Sequence, residues 1–487
     1  MDALALLLAA ALPWAAGCAA LLAARWPAPA SAERASGRIA SVAGYGYFVG
    51  VFLLTAWMRL LSATGIGFGR ISIAAPLALL AMLAIYRARG ARSPLARFAA
   101  FARSVLQPPL PLWQRIVWLV LLAFMGLRLS TLAVEVAVRP LYPWDAWTRW
   151  ATKARVWYEF GRMMPFLPGS SWLAAPSGAY FDASPASPAT IPLLQAWSAI
   201  ALGRWDDSAT NWPWLLMLVA LALAIYGMLR DRGLLPLGAL TGAYLVASLP
   251  LLDTHVALAG YADLMLAGTY TLASLALARW ASTRDLRDGA IAVGLALGCP
   301  FIEASGSIWA STLIPAAIVA SWPRPGLKVA ASIFGTAVLA LAVLARDTPL
   351  LPGLTLHLTY QAPWRSLTDA LFLQDNWHLL WYGALVLAIV RARRLLQPRF
   401  APLVATAAAA LAWLLAGSMF AANIVGWFPE ASVVSRSALV MAPLTIFLCA
   451  LLWQEPTPSP DQDPSTAKMH PTHPQGKALR ATEVLDA

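Results

Sequence analysis

The chain has 487 residues, 60% of them hydrophobic and only 12% charged, with a mean hydropathy of +0.65. Soluble domains carry roughly 25% charged residues, so this composition excludes an ordinary globular protein and indicates an all-α polytopic membrane protein. The net charge of +12 does not point to nucleic acid, because the basic residues cluster in short loops between apolar runs, as cytoplasmic loops do.

In chain order, apolar runs near 4–24, 44–62, 71–86, 114–134, 210–229, 235–250, 264–280, 288–302, 306–322, 327–345, 378–393, 401–420 and 436–453 predict about 13 transmembrane helices. The first, "MDALALLLAAALPWAAGCAALLAARW", lacks the basic start of a signal peptide and reads as a span. Cys18, Cys299 and Cys449 lie in apolar runs and read as small buried hydrophobes. The Pro-rich polar stretch from Glu455 onward reads as a disordered tail.

Orientation follows from loop charge. "RARGARSPLARFAAFAR" carries five arginines and no acid, which places it in the cytoplasm. Alternation then puts the basic loops at 230–233, 279–289, 322–328 and 391–399 inside, provided that "IPLLQAWSAIALG" at 191–203 does not cross. At about 13 residues that segment is too short for a span and reads as a re-entrant or interfacial helix. The N-terminus is then outside and the tail cytoplasmic. The long loops at 135–209, 251–263, 346–377 and 421–435 face outward, toward the periplasm of a Gram-negative cell. They hold Asp145, Asp182, Asp263, His357, Trp364, Asp375 and Glu430, and long loops of this kind are where function concentrates.

Within the first of them, "YPWDAWTRWATKARVWYEFGR" predicts an amphipathic helix at the membrane surface. On a regular helix Asp145, Arg149 and Lys153 share one face at i, i+4 and i+8, while Trp147, Trp150, Trp157 and Tyr158 suit the headgroup level. Two readings stand side by side: a solvated ladder with an aromatic belt, or an acid beside cations that hold a phosphate. Asp182 and Asp375 read as solvated loop acids, and "RWDDS" at 204–208 reads as a turn and helix cap. His255 and His357 are isolated and read as loop hydrogen-bonding residues. Glu303, in "CPFIEASG", reads as the outer end of a span. Arg59 and Arg128 fall inside spans, where an arginine either serves a site or snorkels to the interface.

The order "PWDAWTRWATKARVWY", "PLLQAWSAIALGRWDDSATNWPW", "GYADLMLAGTYTLASLAL" and "SVVSRSALVMAP" resembles the bacterial GT-C superfamily, polytopic glycosyltransferases that use polyprenyl-phosphate sugars. It is similar in particular to the protein-mannosyltransferase-like and aminoarabinose-transferase-like families. The resemblance covers roughly residues 114–453. It implies a three-span addition at 1–112, a GT-C-like core at 113–453 and a tail at 454–487. It also implies Asp145 as the catalytic base, Asp263 as a second acid, and Ile191–Gly203 as the proline-led segment that re-enters the membrane. Arg149, Lys153, Arg155 and Arg436 become the donor-phosphate cations, and Trp144, Trp147, Tyr261 and Glu303 the lining of the substrate cavity.

The implied partners are a polyprenyl-phosphate sugar, a glycan, lipid or protein acceptor, and membrane lipids. The implied activity is a hexosyltransferase-type transfer, with no firm cofactor; a divalent cation is compatible with the acids present. The first-loop acid is single here, and Glu303 stands where relatives carry a basic residue. Two other classes compete. A transporter or flippase would favour an internal repeat and broken helices, and a polysaccharide polymerase or ligase would favour a large late loop rich in Arg and His.

Overall fold

The computed structural model describes residues 2–27, 35–87, 110–174, 178–182, 184–322, 328–329, 332, 335–336, 348–351, 354–356, 358–360, 362–422 and 431–453. The fold is that of a helical polytopic membrane protein. Among the described residues seven helices are long and apolar enough to cross a membrane: those at α1 (Asp2–Ala23), α2 (Ala35–Ala63), α3 (Arg70–Arg87), α4 (Leu112–Val138), α7 (Trp212–Asp231), α15 (Ala401–Met419) and α16 (Ala431–Trp453). An eighth is available if α8 (Pro236–Ala247) and α9 (Pro250–Ala257), which meet at a 55° bend, form one span. A proline opens each half of that pair, where its missing N–H costs the helix nothing.

The remaining expected spans are of other kinds. Helix α10 (Asp263–Thr283) is buried along most of its length and carries two threonines and a tyrosine in its first half. Helices α11 (Leu286–Gly298), α12 (Gly306–Ser311), α13 (Leu313–Ser321) and α14 (Leu380–Val390) are too short to cross a bilayer singly. The span expected at 327–345 falls almost wholly outside the described residues, as do His357, Glu430 and the tail.

Small residues let the first helices approach closely. A side chain on Gly17 would lie 1.9 Å from the Gly46 carbonyl oxygen, and one on Gly50 would lie 1.8 Å from that of Pro13. Helix α2 is pressed equally hard on α7, where a Cβ on Gly44 would meet Ala220 and Ala224. Such backbone-to-backbone contact is how helices associate where lipid offers no hydrophobic drive. The N-terminal helices therefore share one core with the helices that follow.

Helix ends gather into two groups. At one, Trp26 donates to Asp288 at 2.6 Å, Arg279 bonds Asp288 at 3.0 Å and pairs with Asp231, and Arg284 donates to the Ala320 carbonyl at 2.5 Å. Arg394, 3.4 Å from the Leu452 carbonyl, belongs to the same end. At the other, Ser62 meets Met163, Arg59 meets Thr190, Asn376 meets Ser435, and Arg436 meets Asp145. The first carries the basic loops and the second the long acidic and aromatic ones. Helix α6 (Thr190–Leu202) is buried throughout. Thr190 bonds the Phe301 carbonyl at 2.5 Å and Arg70 bonds the Ile200 carbonyl at 3.0 Å, so neither end of α6 reaches the basic group.

Candidate active site at the acidic end

The surface helix begins just after Asp145. Its first turn, Ala146–Ala151, is a π-helix, and it runs on as α5 (Thr152–Phe160) until Gly161, in the left-handed conformation, ends it. π-turns cluster at functional sites because they re-aim side chains without breaking the helix. Here the wider turn rotates the cation ladder apart. Lys153 falls in line with Trp150, Ala154 and Trp157, and all four are buried.

Asp145, Tyr261 and Asp263, from two parts of the chain, meet at Arg436 from a third. The guanidinium of Arg436, one turn into α16, donates through Nη1 to Asp145 Oδ2 at 3.2 Å. It also forks onto Asp263 at the head of α10, with Nε at 3.1 Å from Oδ1 and Nη2 at 2.9 Å from Oδ2. Its carbon lies 4.8 Å from the ring centre of Tyr261. The planar fork suits this bidentate work, and a lysine could not reproduce it. The side chain of Asp263 is only 7% exposed, while those of Asp145 and Arg436 remain 36% and 31% exposed. The contact between the two acid-bearing loops requires Gly260. Its φ of +115° is one that L side chains rarely adopt, and a Cβ there would lie 2.4 Å from that of Ala146.

Glu303 faces the same cluster from the break between α11 and α12. Burial pushes its carboxyl up to about 7, the charges of Asp263 and Asp145 add to the rise, and Arg436 and Arg149 oppose it. Arg149 stacks on Trp150 at 4.7 Å and donates to Ser187 at 2.7 Å. Trp144 and Trp147 are exposed and meet edge to face at 5.1 Å.

Several expectations need correction. Lys153 is not a free phosphate ligand: its ammonium lies 2.7 Å from Asp182 and within 3.5 Å of the carbonyls of Ser184, Pro185 and Ser187. Burial pulls its pKa down, and the Asp182 partner works against that pull. Asp182 is accordingly not a solvated loop acid, since it is 3% exposed. No ladder joins Asp145, Arg149 and Lys153, because the π-turn breaks the register. Arg155 stands on the exposed side of α5, away from the buried stripe. Trp150 and Trp157 are core residues, not headgroup anchors.

Other expectations correspond to what the structure contains. Asp375 is 90% exposed, and Asp206 caps the turn before α7 through Ser208 and Ala209. Arg59 turns inward to Thr190 at 2.7 Å, whereas Arg128 pairs with Asp253 at the bent helix pair. His255 was read as solitary, yet it lies 3.7 Å from Asp263. The sequence held no spacing signal for it, because the two residues lie on separate helices joined by a turn.

Among the described residues no group of three or more His, Cys, Asp or Glu side chains is arranged to hold a metal ion. The site is a pair of carboxylates bridged by one arginine, with Asp145 and Arg436 partly exposed and two exposed tryptophans close to Asp145 in the chain, in a helical membrane protein. No family model matches the chain, and no curated protein or solved structure matches it significantly.

Proposed function

We propose that the protein transfers a sugar from a polyprenyl-phosphate-linked donor to an acceptor hydroxyl on the outer face of the membrane. The observation that supports this reading most is Arg436 bridging Asp145 and Asp263 at the end of the helix bundle opposite the basic loops. Inverting transfer needs a base that receives the hydroxyl proton as the acceptor oxygen bonds to the anomeric carbon. A partly exposed carboxylate such as Asp145 suits that role. As the new bond forms, the bond from the anomeric carbon to the phosphate oxygen breaks, and the lipid phosphate leaves with the electron pair. Fixed cations lower the cost of that developing charge. Arg436 is the first of them, and Arg149 stands behind it. Trp144 and Trp147 offer exposed aromatic faces on which a sugar ring stacks.

The test compares lipid-linked and surface glycans by mass spectrometry in a strain lacking the gene, complemented at matched expression with wild type, Asp145→Asn or Asp375→Asn. Loss of a general base costs about 10²–10⁴-fold in rate, so Asp145→Asn is expected to restore no glycan and Asp375→Asn to restore it fully. Full complementation by Asp145→Asn would refute the assignment. One observation favours a second reading. The bent α8–α9 pair holds Asp253 against Arg128 of α4, and broken helices with internal charges are a transporter feature. Unchanged glycans with a lost uptake or export phenotype would decide for transport.

A further inference from the structure

His255 is 5% exposed, and its two ring nitrogens meet different surroundings. Nδ1 lies 2.8 Å from the Leu251 carbonyl oxygen, one turn earlier in α9. A carbonyl accepts only, so that contact requires the hydrogen on Nδ1. Nε2 is buried without a hydrogen-bond partner and faces Asp263 Oδ2 at 3.7 Å. In a neutral ring, Nε2 would then present a bare lone pair to a carboxylate. That arrangement is repulsive and leaves a buried acceptor unmatched.

Protonation of Asp263 does not relieve the conflict, because its two oxygens already accept Nε and Nη2 of Arg436. Charge-assisted bonds of that kind hold a carboxylate ionised. A proton on Nε2 would turn the repulsive contact into an attractive one. We infer that His255 is held as an imidazolium between the Leu251 carbonyl and Asp263, and is a positioning residue for the Asp263–Arg436 pair. The groups that face it are Asp263 from α10, Tyr261 from the preceding turn, with ring centres 5.4 Å apart, and Arg436 from α16. Burial, the strongest influence, and Arg436 oppose the charge and pull the ring below the ordinary imidazole value, while the carboxylate and the carbonyl work against that pull; the proton on Nε2 is inferred from the contact geometry.

The consequence concerns Arg436. With Asp263 alone beneath it, the guanidinium is committed to two carboxylates. A second cation under Asp263 shares that negative charge, so Arg436 keeps more of its attraction for an incoming lipid phosphate. This step rests on the transferase reading, whereas the protonation state of His255 does not.

The test is magic-angle-spinning NMR on full-length protein in lipid nanodiscs, labelled with ¹⁵N-histidine. His357, His378, His470 and His473 are replaced by Gln, so that one of the five histidines remains. Two protonated ring nitrogens at pH 7, reverting to one protonated and one bare nitrogen in the Asp263→Asn variant, are expected. One bare nitrogen in the Asp263-containing protein would overturn the inference, and so would an imidazolium that persists without Asp263. In a transfer assay His255→Gln should raise KM for the lipid-linked donor about 10-fold with a smaller change in kcat. No transfer by any form of the protein would refute the transferase reading and leave the NMR result standing.

Discussion

Removing the carboxylate of Asp182 strands an ammonium in the protein interior. Both side chains of the Lys153–Asp182 pair are 2% exposed and their charged atoms are 2.7 Å apart. Breaking such a pair by deleting one partner costs about 3–5 kcal/mol, because the survivor is left buried and uncompensated. The three carbonyls around Lys153 continue to hold it in Asp182→Asn, which puts that variant near about 3 kcal/mol. Lys153→Met leaves Asp182 with the Ser184 N–H at 2.8 Å and belongs near about 5 kcal/mol. The pair pins the 182–187 segment onto α5, so the loss appears as opening of that loop ahead of global unfolding. About 3 kcal/mol corresponds to roughly a hundred-fold in the opening equilibrium. Tryptic cleavage after the exposed Arg162, followed in nanodiscs under native conditions, should accelerate by that factor. The double variant Lys153→Met/Asp182→Leu should cost far less than the sum of the single changes. Additive effects, or single variants that cleave at the wild-type rate, would refute the reasoning.

Glu303 gives a pH-dependent outcome. Its folded form prefers the proton, so the stability it contributes is full below its ordinary value of 4.5 and is lost as pH rises through about 7. Glu303→Gln should match wild type in thermal unfolding near pH 4 and exceed it at pH 8, by at most about 3 kcal/mol; a difference independent of pH would contradict this. Gly260→Ala should destabilise by about 1–3 kcal/mol through overpacking against Ala146, with further strain from the positive φ, and wild-type melting would show that the two loops do not meet as described. Cysteine at Trp147 should react with an impermeant thiol reagent in intact cells and cysteine at Arg394 should not, and the reverse pattern would place the acid cluster in the cytoplasm.

The class of protein was legible because it depends on properties that a sequence carries directly. Apolar runs and the placement of arginines do not need tertiary structure to be read. The brevity of 191–203 was equally plain, and α6 is short and buried as that length implies. The meeting of Asp145, Asp263 and Arg436 is different in kind. These residues are separated by 118 and 173 positions, and only the order of features in the resemblance suggested a common site. Thirteen apolar runs suggest spans, whereas among the described residues seven or eight helices are long and apolar enough to cross, because an apolar run of 11–17 residues looks the same whether it crosses lipid or ends inside the protein.

The surface helix shows most clearly what periodicity misses. Its three charges were placed on one face by counting in fours, which assumes a regular helix from the first turn. The π-turn at Ala146–Ala151 spoils the count at the point where the charges begin. Yet a competing pattern was present. Trp150, Ala154 and Trp157 recur at i, i+4 and i+7, the spacing of a buried stripe, and Lys153 falls within it. A lysine inside an apolar stripe asks for a buried acid elsewhere in the chain, and Asp182, 29 residues on, supplies it. The aromatic rings were assigned to lipid because the protein as a whole is a membrane protein. Trp150, Ala154 and Trp157 are instead buried inside the protein, Lys153 reaches the loop that Asp182 secures, and that loop carries Ser187 back to Arg149. The buried pair therefore has a consequence for the exposed cluster. It fixes the segment that orients Arg149, so its loss should displace the Arg149 guanidinium without touching Asp145, Asp263 or Arg436.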